Sequence, residues 1–451
     1  MARSPSPFKR SLPSSPASPA FWRSPVRGPW FTSVLGVVLL VGITVLFVTG
    51  LLSYAAYNPG LSPVNDKTPD KGVLGFYLFS WPTDPHWLYR LNQGVHVTLG
   101  ITLIPVLLAK LWSVVPKLFA LPPARSLAHA LERISLLLLV GGALFEFTTG
   151  VLNVQLDYLF PGSFYPLHFY GAWVFFAAFV THAVLRVPAA VRNLRGLREE
   201  REEREEREER EEREEPAAGK PSRPDLQQDL EGGELVSPAP AGATVSRRGA
   251  LGFVGGGSLL LFGTTVGQNF DGPPRATALL APHGGSEPGS GPGGFQINKT
   301  AASRGITAAE TSEEAWRLVV TGRTGTVRLS RAELRQLPLH SAALPIACVE
   351  GWSTSDQWWR GVRLRDLAAL VGYEAEAAPD VLVESLQRHG AFRRAALRAN
   401  QVRDPRSLLA LDVNGEPLTP DHGHPARIIV PAAPGVLNTK WVARMTFGDL
   451  G

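Results

Sequence analysis

A single cysteine, Cys348, stands in a chain of 451 residues, inside the segment LPIACVEGWS at positions 344–353. An unpaired thiol is either a small buried hydrophobe or, as a thiolate, a soft metal ligand. Composition alone leaves both roles open. Disulfides, iron–sulfur clusters and c-type haem each need at least two cysteines, so one chain with one cysteine contains none of them. Electrons in this protein would have to move through haem b, a flavin, a quinone or a metal bound to the thiolate.

Three histidines lie in apolar segments long enough to cross a bilayer, which needs about 20 residues. The predicted spans are residues 31–52, 91–115, 134–154 and 167–187. His96 lies about one turn into the second span and His168 at the start of the fourth. His182 follows His168 by fourteen residues, which returns to nearly the same face of a helix. Histidines within spans are costly and rarely without function. We expect His96 and His168 to bind a haem iron, and His182 either to do so or to hydrogen-bond between helices.

Basic residues predict the orientation of these spans. They lie between the second and third spans and after the fourth: Lys110, Lys117, Arg125, Arg133, Arg186, Arg192 and Arg195. Cytoplasmic loops are rich in such residues, so both connections and the N-terminus are expected inside. The second and fourth spans then both begin at the outer face, with His96 and His168 at one depth.

This pattern resembles a cytochrome b-type four-helix membrane domain over residues 31–190. In diheme members a second histidine would stand fourteen residues after His96, where this chain has Lys110. One haem b is therefore predicted. Glu146, in the middle of the third span, is expected at a proton or quinone site or in a structural hydrogen bond.

The termini of this membrane part are polar. Residues 1–30 are rich in Ser, Pro and Arg and are predicted to be a disordered cytoplasmic tail. Residues 191–245 contain repeats of Arg and Glu, whose i, i+4 spacing favours a solvated helix, followed by a flexible cytoplasmic linker. Because the basic residues flank apolar segments, nucleic-acid binding is not expected.

A pair of arginines, Arg247 and Arg248, opens a fifth apolar segment at residues 246–267. The pair and the glycine-rich run that follows it resemble a twin-arginine export signal. This resemblance implies recognition by the twin-arginine machinery, which exports folded proteins. A Gly/Pro-rich tether, residues 268–294, would then lead to an extracytoplasmic domain.

The sequence CVEGW from Cys348, followed by WRGVRL at positions 359–364, resembles the molybdenum-binding segment of the sulfite oxidase family. The bacterial branch with the periplasmic methionine-sulfoxide reductases is the most similar. The resemblance covers residues 295–451 and implies that Cys348 bonds the molybdenum of a molybdopterin cofactor. It also implies cofactor contacts for further residues: Asn298, Lys299, Thr300, His422, Arg427 and Lys440.

The local patterns of this last segment predict an α+β domain. Residues 316–320 and 327–329 are typical of paired strands, Ser330 and Glu333 form a capping box, and Asn414-Gly415 favours a tight hairpin turn. The whole chain is thus predicted as an all-α four-helix membrane bundle, a fifth transmembrane helix and an α+β molybdopterin domain.

The sequence therefore predicts a membrane-anchored molybdopterin-dependent oxidoreductase that transfers oxygen atoms on a small substrate, including a sulfoxide, outside the cytoplasm. Its electrons would pass through haem b to or from quinone in the lipid bilayer. Two alternatives stay open: oxidation of sulfite or another oxyanion on the same scaffold, and a non-catalytic haem carrier or redox sensor with an exported binding module.

Overall fold

The computed structural model describes residues 29–65, 79–118, 127–154, 164–184, 191, 245–279, 291–297, 299–388, 390 and 392–450. Most of the predicted tail, the predicted charged helix and the linker up to residue 244 lie outside these ranges. The chain forms two compact units. One comprises Met1–Ile43, Leu103–Phe145 and Ala172–Ser258, and the other Thr44–Thr102, Glu146–Gly171 and Leu259–Gly451.

Five long helices are apolar enough to cross a membrane by length and composition. They are α1 (Pro29–Ala56), α2 (Leu88–Leu118), α3 (Leu127–Asn153), α4 (Tyr165–Val184) and α5 (Arg247–Val266). The five apolar helices predicted from the sequence are therefore confirmed, while their arrangement as a four-helix bundle stays a prediction. Helix α2 begins three residues before the predicted span, and Tyr89 in its first turn is buried.

The first unit contains close contacts between helices at glycines. A Cβ on Gly142 of α3 would lie 3.2 Å from the Phe175 side chain of α4, so small residues permit this approach. Lys110 of α2 donates from Nζ to the carbonyl oxygen of Thr32 in α1, at 2.6 Å. His182 lies on α4 within this unit.

The second unit contains one mixed and one antiparallel sheet, both built from residues 318–447. The strands are β1 (Leu318–Gly322), β2 (Gly325–Leu329), β3 (His340–Leu344), β4 (Gln357–Arg363), β5 (Val381–Ser385), β6 (Arg394–Leu397), β7 (Leu408–Val413), β8 (Glu416–Pro417), β9 (Arg427–Ile429) and β10 (Val442–Phe447). One sheet has the order β2-β1-β10-β5-β6 and the other β3-β4-β7-β8, with β9 paired to β7. Three short helices join them: α6 (Arg331–Gln336), α7 (Leu364–Ala369) and α8 (Ala399–Arg403).

Local sequence signals account for several of these elements. Strands β1 and β2 pair antiparallel across Gly325. Ser330 and Glu333 form the expected reciprocal capping box at the start of α6. Asn414 and Gly415, with φ of 52° and 89°, form the turn between β7 and β8, as a two-residue hairpin loop requires. Among the described strands only β1 and β10 pair in parallel. The α+β prediction is confirmed.

Two clusters of buried side chains hold the sheets together. The larger includes Leu318, Leu364 and Met445 and lies between the sheets and the short helices. The smaller includes Phe295, Trp352 and Trp359 and surrounds Cys348. Fully burying one such side chain contributes about 1.5–3 kcal/mol, so the second cluster holds the cysteine segment firmly.

The first part of the predicted tether is ordered, which differs from the flexible connection expected. Short 3₁₀ turns occupy Gly267–Asn269 and Pro273–Thr277. Arg275 donates to the Ser353 carbonyl oxygen at 2.5 Å and to Gln296 Oε1 at 2.6 Å. Specific hydrogen bonds therefore fix a segment that composition alone marks as mobile. Residues 280–290 lie outside the described ranges.

The connection between α1 and α2 also contacts the sheets within the second unit. Trp81 donates from Nε1 to the Ala432 carbonyl oxygen at 2.7 Å. Asn58 donates to the Ala396 carbonyl oxygen at 3.1 Å and to Gln401 Oε1 at 2.8 Å. These buried bonds attach the α1–α2 connection to the sheet domain.

Candidate cofactor sites

Cys348 lies in a tight loop between β3 and β4. Its backbone N–H donates to the Trp352 carbonyl oxygen at 2.9 Å, and the Gly351 N–H donates to the Cys348 carbonyl oxygen at 3.1 Å. Gly351 has φ of 92°, a conformation that favours glycine. Ala347 forms bridges to both Ser353 and Pro434. The backbone before and after the cysteine is thus fixed on both sides.

The Cys348 thiol is buried, with only 3% of the residue exposed. Its Sγ lies 3.4 Å from Glu350 Oε2, which also accepts a hydrogen bond from Trp352 Nε1 at 3.0 Å. Burial, followed by the nearby Glu350 carboxylate, raises the pKa of the Cys348 thiol well above its usual range. A metal cation would replace the thiol proton, since metal binding and thiol ionisation are coupled.

The protein offers only one evident ligand at this loop. Within the described ranges no group of three or more His, Cys, Asp or Glu side chains could hold a metal ion. A metal bound by Cys348 would therefore take its other ligands from a cofactor. This donor set fits a metal carried by an organic dithiolene.

Three basic side chains, Lys299, Arg427 and Lys440, lie in the same part of the domain. Among the described residues, none of them makes a salt bridge to a carboxylate. Arg427 is 2% exposed and donates to the carbonyl oxygens of His422 at 3.1 Å and Asn438 at 3.3 Å. Lys440 donates from Nζ to the carbonyl oxygens of Lys299 at 3.0 Å and Asp421 at 2.7 Å. Backbone oxygens thus orient these side chains without neutralising them.

Burial makes these positive charges costly. It lowers the pKa of Arg427 to about 9 and the pKa of Lys299 to about 8. The pKa of Lys440 falls well below its usual range through burial and then through the neighbouring Arg427 and Lys299 charges. A bound anion would raise the pKa of all three and so stabilise their charged forms.

Several buried polar atoms beside these cations have no hydrogen-bond partner in the described part of the chain: His422 Nε2, Arg427 Nε, Asn438 Nδ2 and Thr439 Oγ1. An unmade buried hydrogen bond costs about 1–3 kcal/mol. An oxygen-rich anion such as the phosphate of a pterin cofactor would satisfy such donors, and Arg is well suited to phosphate. The residues present therefore fit molybdopterin.

His422 is held as a neutral imidazole. Burial, then the Arg427 and Lys440 charges, lowers the pKa of His422 to about 4. Its Nδ1 lies 2.8 Å from Thr419 Oγ1, and its ring centre lies 4.0 Å from that of Phe295. Nε2 is therefore free to interact with a ligand.

The resemblance predicts cofactor contacts for residues 298–300, and the described residues of this segment lie in different environments. Lys299 joins the cations, with its ammonium 5.4 Å from the ring centre of Phe392. Thr300 is exposed and accepts a hydrogen bond from the Ser303 N–H at 3.2 Å. Asn298 lies outside the described residues. Glu350, Asn438 and Thr439 were not named from the sequence as candidate site residues. Glu350 stands within the CVEGW motif, and Asn438 and Thr439 directly precede Lys440.

A second site joins the two predicted haem ligands. The ring centres of His96 and His168 lie 6.2 Å apart, with the planes at 83°. Two imidazoles that bind one metal ion from opposite sides, through bonds of about 2.0–2.1 Å, have ring centres roughly 6–6.5 Å apart. The observed distance fits a bis-histidine iron site. His182 belongs to the other compact unit.

Helix α2 links the two sites. Gln93 donates from Nε2 to the Val349 carbonyl oxygen at 2.5 Å, next to Cys348. A Cβ on Gly351 would lie 2.5 Å from Val97 Cβ, so this glycine and Val97 are in close contact. His96 lies between Gln93 and Val97 in sequence. The same helix therefore carries one histidine and contacts the cysteine loop.

Comparison with known proteins shows what the sheet-containing part of the second unit is similar to. Residues 305–450 match the family model described as "Oxidoreductase molybdopterin binding domain". Mitochondrial sulfite oxidase of Rattus norvegicus is 31% identical over 158 residues, which are 30% of this chain and 29% of that protein. An uncharacterized oxidoreductase of Bacillus subtilis is 34% identical over 133 residues, covering 29% of this chain and 65% of that protein.

Among solved structures, the sulfane dehydrogenase of Paracoccus pantotrophus matches with 24% identity and a TM-score of 0.28, over 31% of this chain and 39% of that one. The chain spans less than a third of the length of the sulfite oxidase that it matches.

Proposed function

We propose that this chain, whose C-terminal domain is a molybdopterin-binding oxidoreductase domain resembling that of the sulfite oxidases, is a membrane-anchored enzyme that transfers an oxygen atom to or from a small substrate outside the cytoplasm. The observation that carries this proposal is the buried Cys348 loop with its adjoining cations and unpartnered donors. Sulfoxides are the substrate class proposed first.

The residues of the chain have separate roles in this function. Cys348 would bind the molybdenum, and Lys299, Arg427 and Lys440 would hold the cofactor phosphate. Neutral His422 would offer Nε2 to the cofactor. When bound, molybdopterin supplies the oxygen-atom transfer chemistry, and the protein supplies position, charge and exclusion of water.

We further propose that His96 and His168 hold one haem b that exchanges electrons between the molybdenum domain and membrane quinone. The separation of the two rings and the contacts of α2 with the Cys348 loop support this. Lys110, where a second histidine would stand, donates to a backbone oxygen in α1. That contact supports a single haem.

The membrane placement is part of the proposal. Five helices have the length and composition of membrane spans, and Lys and Arg cluster in the connections expected inside. Arg247 and Arg248 begin α5, as a twin-arginine signal before an apolar segment would. The molybdenum domain would then lie outside the cytoplasm.

Metal analysis and visible spectroscopy of the detergent-purified chain test the proposal. We expect about one molybdenum per chain and a low-spin haem b spectrum. Cys348→Ser should abolish turnover of a sulfoxide with a quinol donor while leaving the haem spectrum unchanged, because the thiolate serves only the molybdenum. Absence of molybdenum from active preparations would favour a haem carrier or redox sensor instead.

Oxidation of sulfite is the second candidate, favoured by the 31% identity to a mitochondrial sulfite oxidase. A panel of sulfite and sulfoxides separates the two. Haem reduction by sulfite with no haem oxidation by sulfoxides would replace the first proposal with this one.

A further inference from the structure

A Thr-Gly dipeptide lies behind each of the two predicted haem ligands. Thr49 and Gly50 of α1 contact His96, and Thr149 and Gly150 of α3 contact His168. The hydroxyl-to-Nδ1 distances are 2.9 Å for Thr49 and 3.1 Å for Thr149. A Cβ on either glycine would lie 3.3 Å from Cε1 of the adjacent histidine. The two ligands thus share one local arrangement on separate helix pairs.

The hydrogen bonds dictate which ring nitrogen of His168 carries its proton. His168 Nδ1 lies 3.1 Å from the Glu146 carbonyl oxygen, which can only accept. Nδ1 must therefore be the N–H donor. In the neutral ring Nε2 is then unprotonated, as a metal ligand must be.

His96 is in a similar position, because its Nδ1 faces the hydroxyl group of Thr49. That hydroxyl has a single proton to donate. Thr49 Oγ1 lies 2.8 Å from the Val45 carbonyl oxygen and 3.1 Å from that of Leu46, both of which can only accept. With the hydroxyl proton directed to these oxygens, a lone pair of Thr49 Oγ1 faces His96 Nδ1 at 2.9 Å. This arrangement favours the ring proton of His96 on Nδ1. In that tautomer Nε2 of His96 is likewise unprotonated.

The glycines keep room for the rings in this orientation. A contact of 3.3 Å between a Cβ and a ring carbon is shorter than ordinary van der Waals contact. A larger residue at position 50 or 150 would press on the ring and turn it away from the position that the threonine sets. Thr and Gly at adjacent positions therefore act together.

We propose that Thr49 and Thr149 are positioning residues that fix His96 and His168 as Nδ1–H tautomers with Nε2 available for iron, while Gly50 and Gly150 leave space for the rings. The inference rests on the proposed haem function. Hydrogen-bond partners of this kind orient metal-binding histidines and increase their basicity.

One asymmetry distinguishes the two ligands. The Glu146 carboxylate, through Oε2, lies 3.1 Å from His168 Nδ1, and no described carboxylate has this relation to His96. The Glu146 side chain therefore gives His168 Nδ1–H an acceptor that has no counterpart at His96 among the described carboxyl groups.

The test uses the full chain in detergent, with Thr49→Val and Thr149→Val compared with the conservative Thr49→Ser and Thr149→Ser. Removing a hydrogen-bond partner of a metal ligand typically weakens metal binding about 10- to 100-fold. We expect each Val variant to lose haem affinity on that scale, or to retain haem at a raised midpoint potential with altered low-spin ferric signals in electron paramagnetic resonance. The Ser variants should resemble the wild type, because they keep the hydroxyl.

Thr264→Val is the matched control, since Thr264 makes the same hydroxyl bond to a carbonyl four residues earlier, at 2.9 Å, on α5. It should change neither affinity nor potential. Molybdenum content measured on every variant reports folding. Unchanged haem affinity, potential and resonance signals in both Val variants would overturn the inference, if His96→Ala still loses the haem. A wild type without haem would instead defeat the proposed function.

Discussion

At the residue scale, the most unusual feature is a set of three buried or half-buried basic side chains that make no carboxylate salt bridge within the described part of the chain. Lys299, Arg427 and Lys440 lie near Cys348, and burial lowers the pKa of each. Such a site stores unfavourable free energy in the cofactor-free protein. Binding of an anionic cofactor would relieve it, so cofactor capture and stability are coupled.

The lowered pKa of Lys299 predicts how the stability of the cofactor-free protein changes with pH. Burial lowers the pKa of Lys299 to about 8 in the folded chain, against an ordinary value of 10.5. Between these values the unfolded chain binds more protons, so stability rises with pH in that window. Cofactor-free protein should show a rising Tm from pH 8 to 10, and Lys299→Met should reduce the slope. Exposed Arg328 provides a control, since Arg328→Met should leave the slope unchanged; an unaltered slope in Lys299→Met would contradict the prediction.

Replacement of Arg427 separates charge from geometry. Arg427→Lys keeps a cation but loses the planar fork that holds the carbonyl oxygens of His422 and Asn438. We expect molybdopterin content to fall severalfold in Arg427→Lys and further in Arg427→Met. Cofactor released by denaturation and assayed per chain measures this. Full content in Arg427→Met would show that this guanidinium does not hold the cofactor.

Sequence motifs identified Cys348 and the cations because each stands in a run of residues shared with a family. Thr49 and Thr149 could not be identified in this way. Threonine hydroxyls in apolar helices commonly bond to their own backbone, and only the packing of neighbouring helices brings them to the histidines. Residues whose type and motif suggest a chemical role could be proposed from the sequence. Residues whose role depends on tertiary contacts could not.

At the element scale, local signals determined the short structures and left the pairings open. The capping box of α6 and the β7–β8 turn could be predicted, since a few adjacent residues set them. The parallel pairing of β1 with β10 joins residues more than 120 positions apart and depends on the whole core. The order at residues 267–279 was missed because Arg275 finds its partners far along the chain.

The hairpin turn allows a clean test of this local determination. Gly415 has φ of 89°, and an alanine there would be strained. We expect Gly415→Ala to cost about 1 kcal/mol or more in stability. Gly448→Ala is the control, because Gly448 has neither positive φ nor a neighbour within 4 Å of an added Cβ. Equal melting temperatures for the two variants would contradict the assigned turn.

At the scale of the whole molecule, the C-terminal end of α1, the N-terminal half of α2 and the sheet domain belong to one compact unit. Trp81 and Asn58 donate to backbone oxygens of the sheet domain. Gln93 donates to Val349 beside the cysteine. We therefore expect the Cys348 loop and the first half of α2, up to Thr102, to behave as one body.

Gln93→Leu tests whether this contact serves electron exchange. The substitution keeps the size of the side chain but removes the donor to the Val349 carbonyl oxygen. We expect normal molybdenum and haem contents, with severalfold slower haem oxidation after substrate is added to the prereduced chain in stopped-flow measurements. Leu91→Ala, at an exposed position of the same helix, should leave the rate unchanged. A wild-type rate in Gln93→Leu would remove this contact from the route.

The attachment of the sheet domain to α2 has a kinetic consequence. Redox partners that meet by diffusion depend on dilution, viscosity and ionic strength, because they must first find each other. The proposed haem and molybdenum centres would belong to one polypeptide, and α2 carries His96 and contacts the Cys348 loop. Such centres need no diffusional encounter. We expect electron exchange between them to be a first-order process whose rate does not change with salt or dilution.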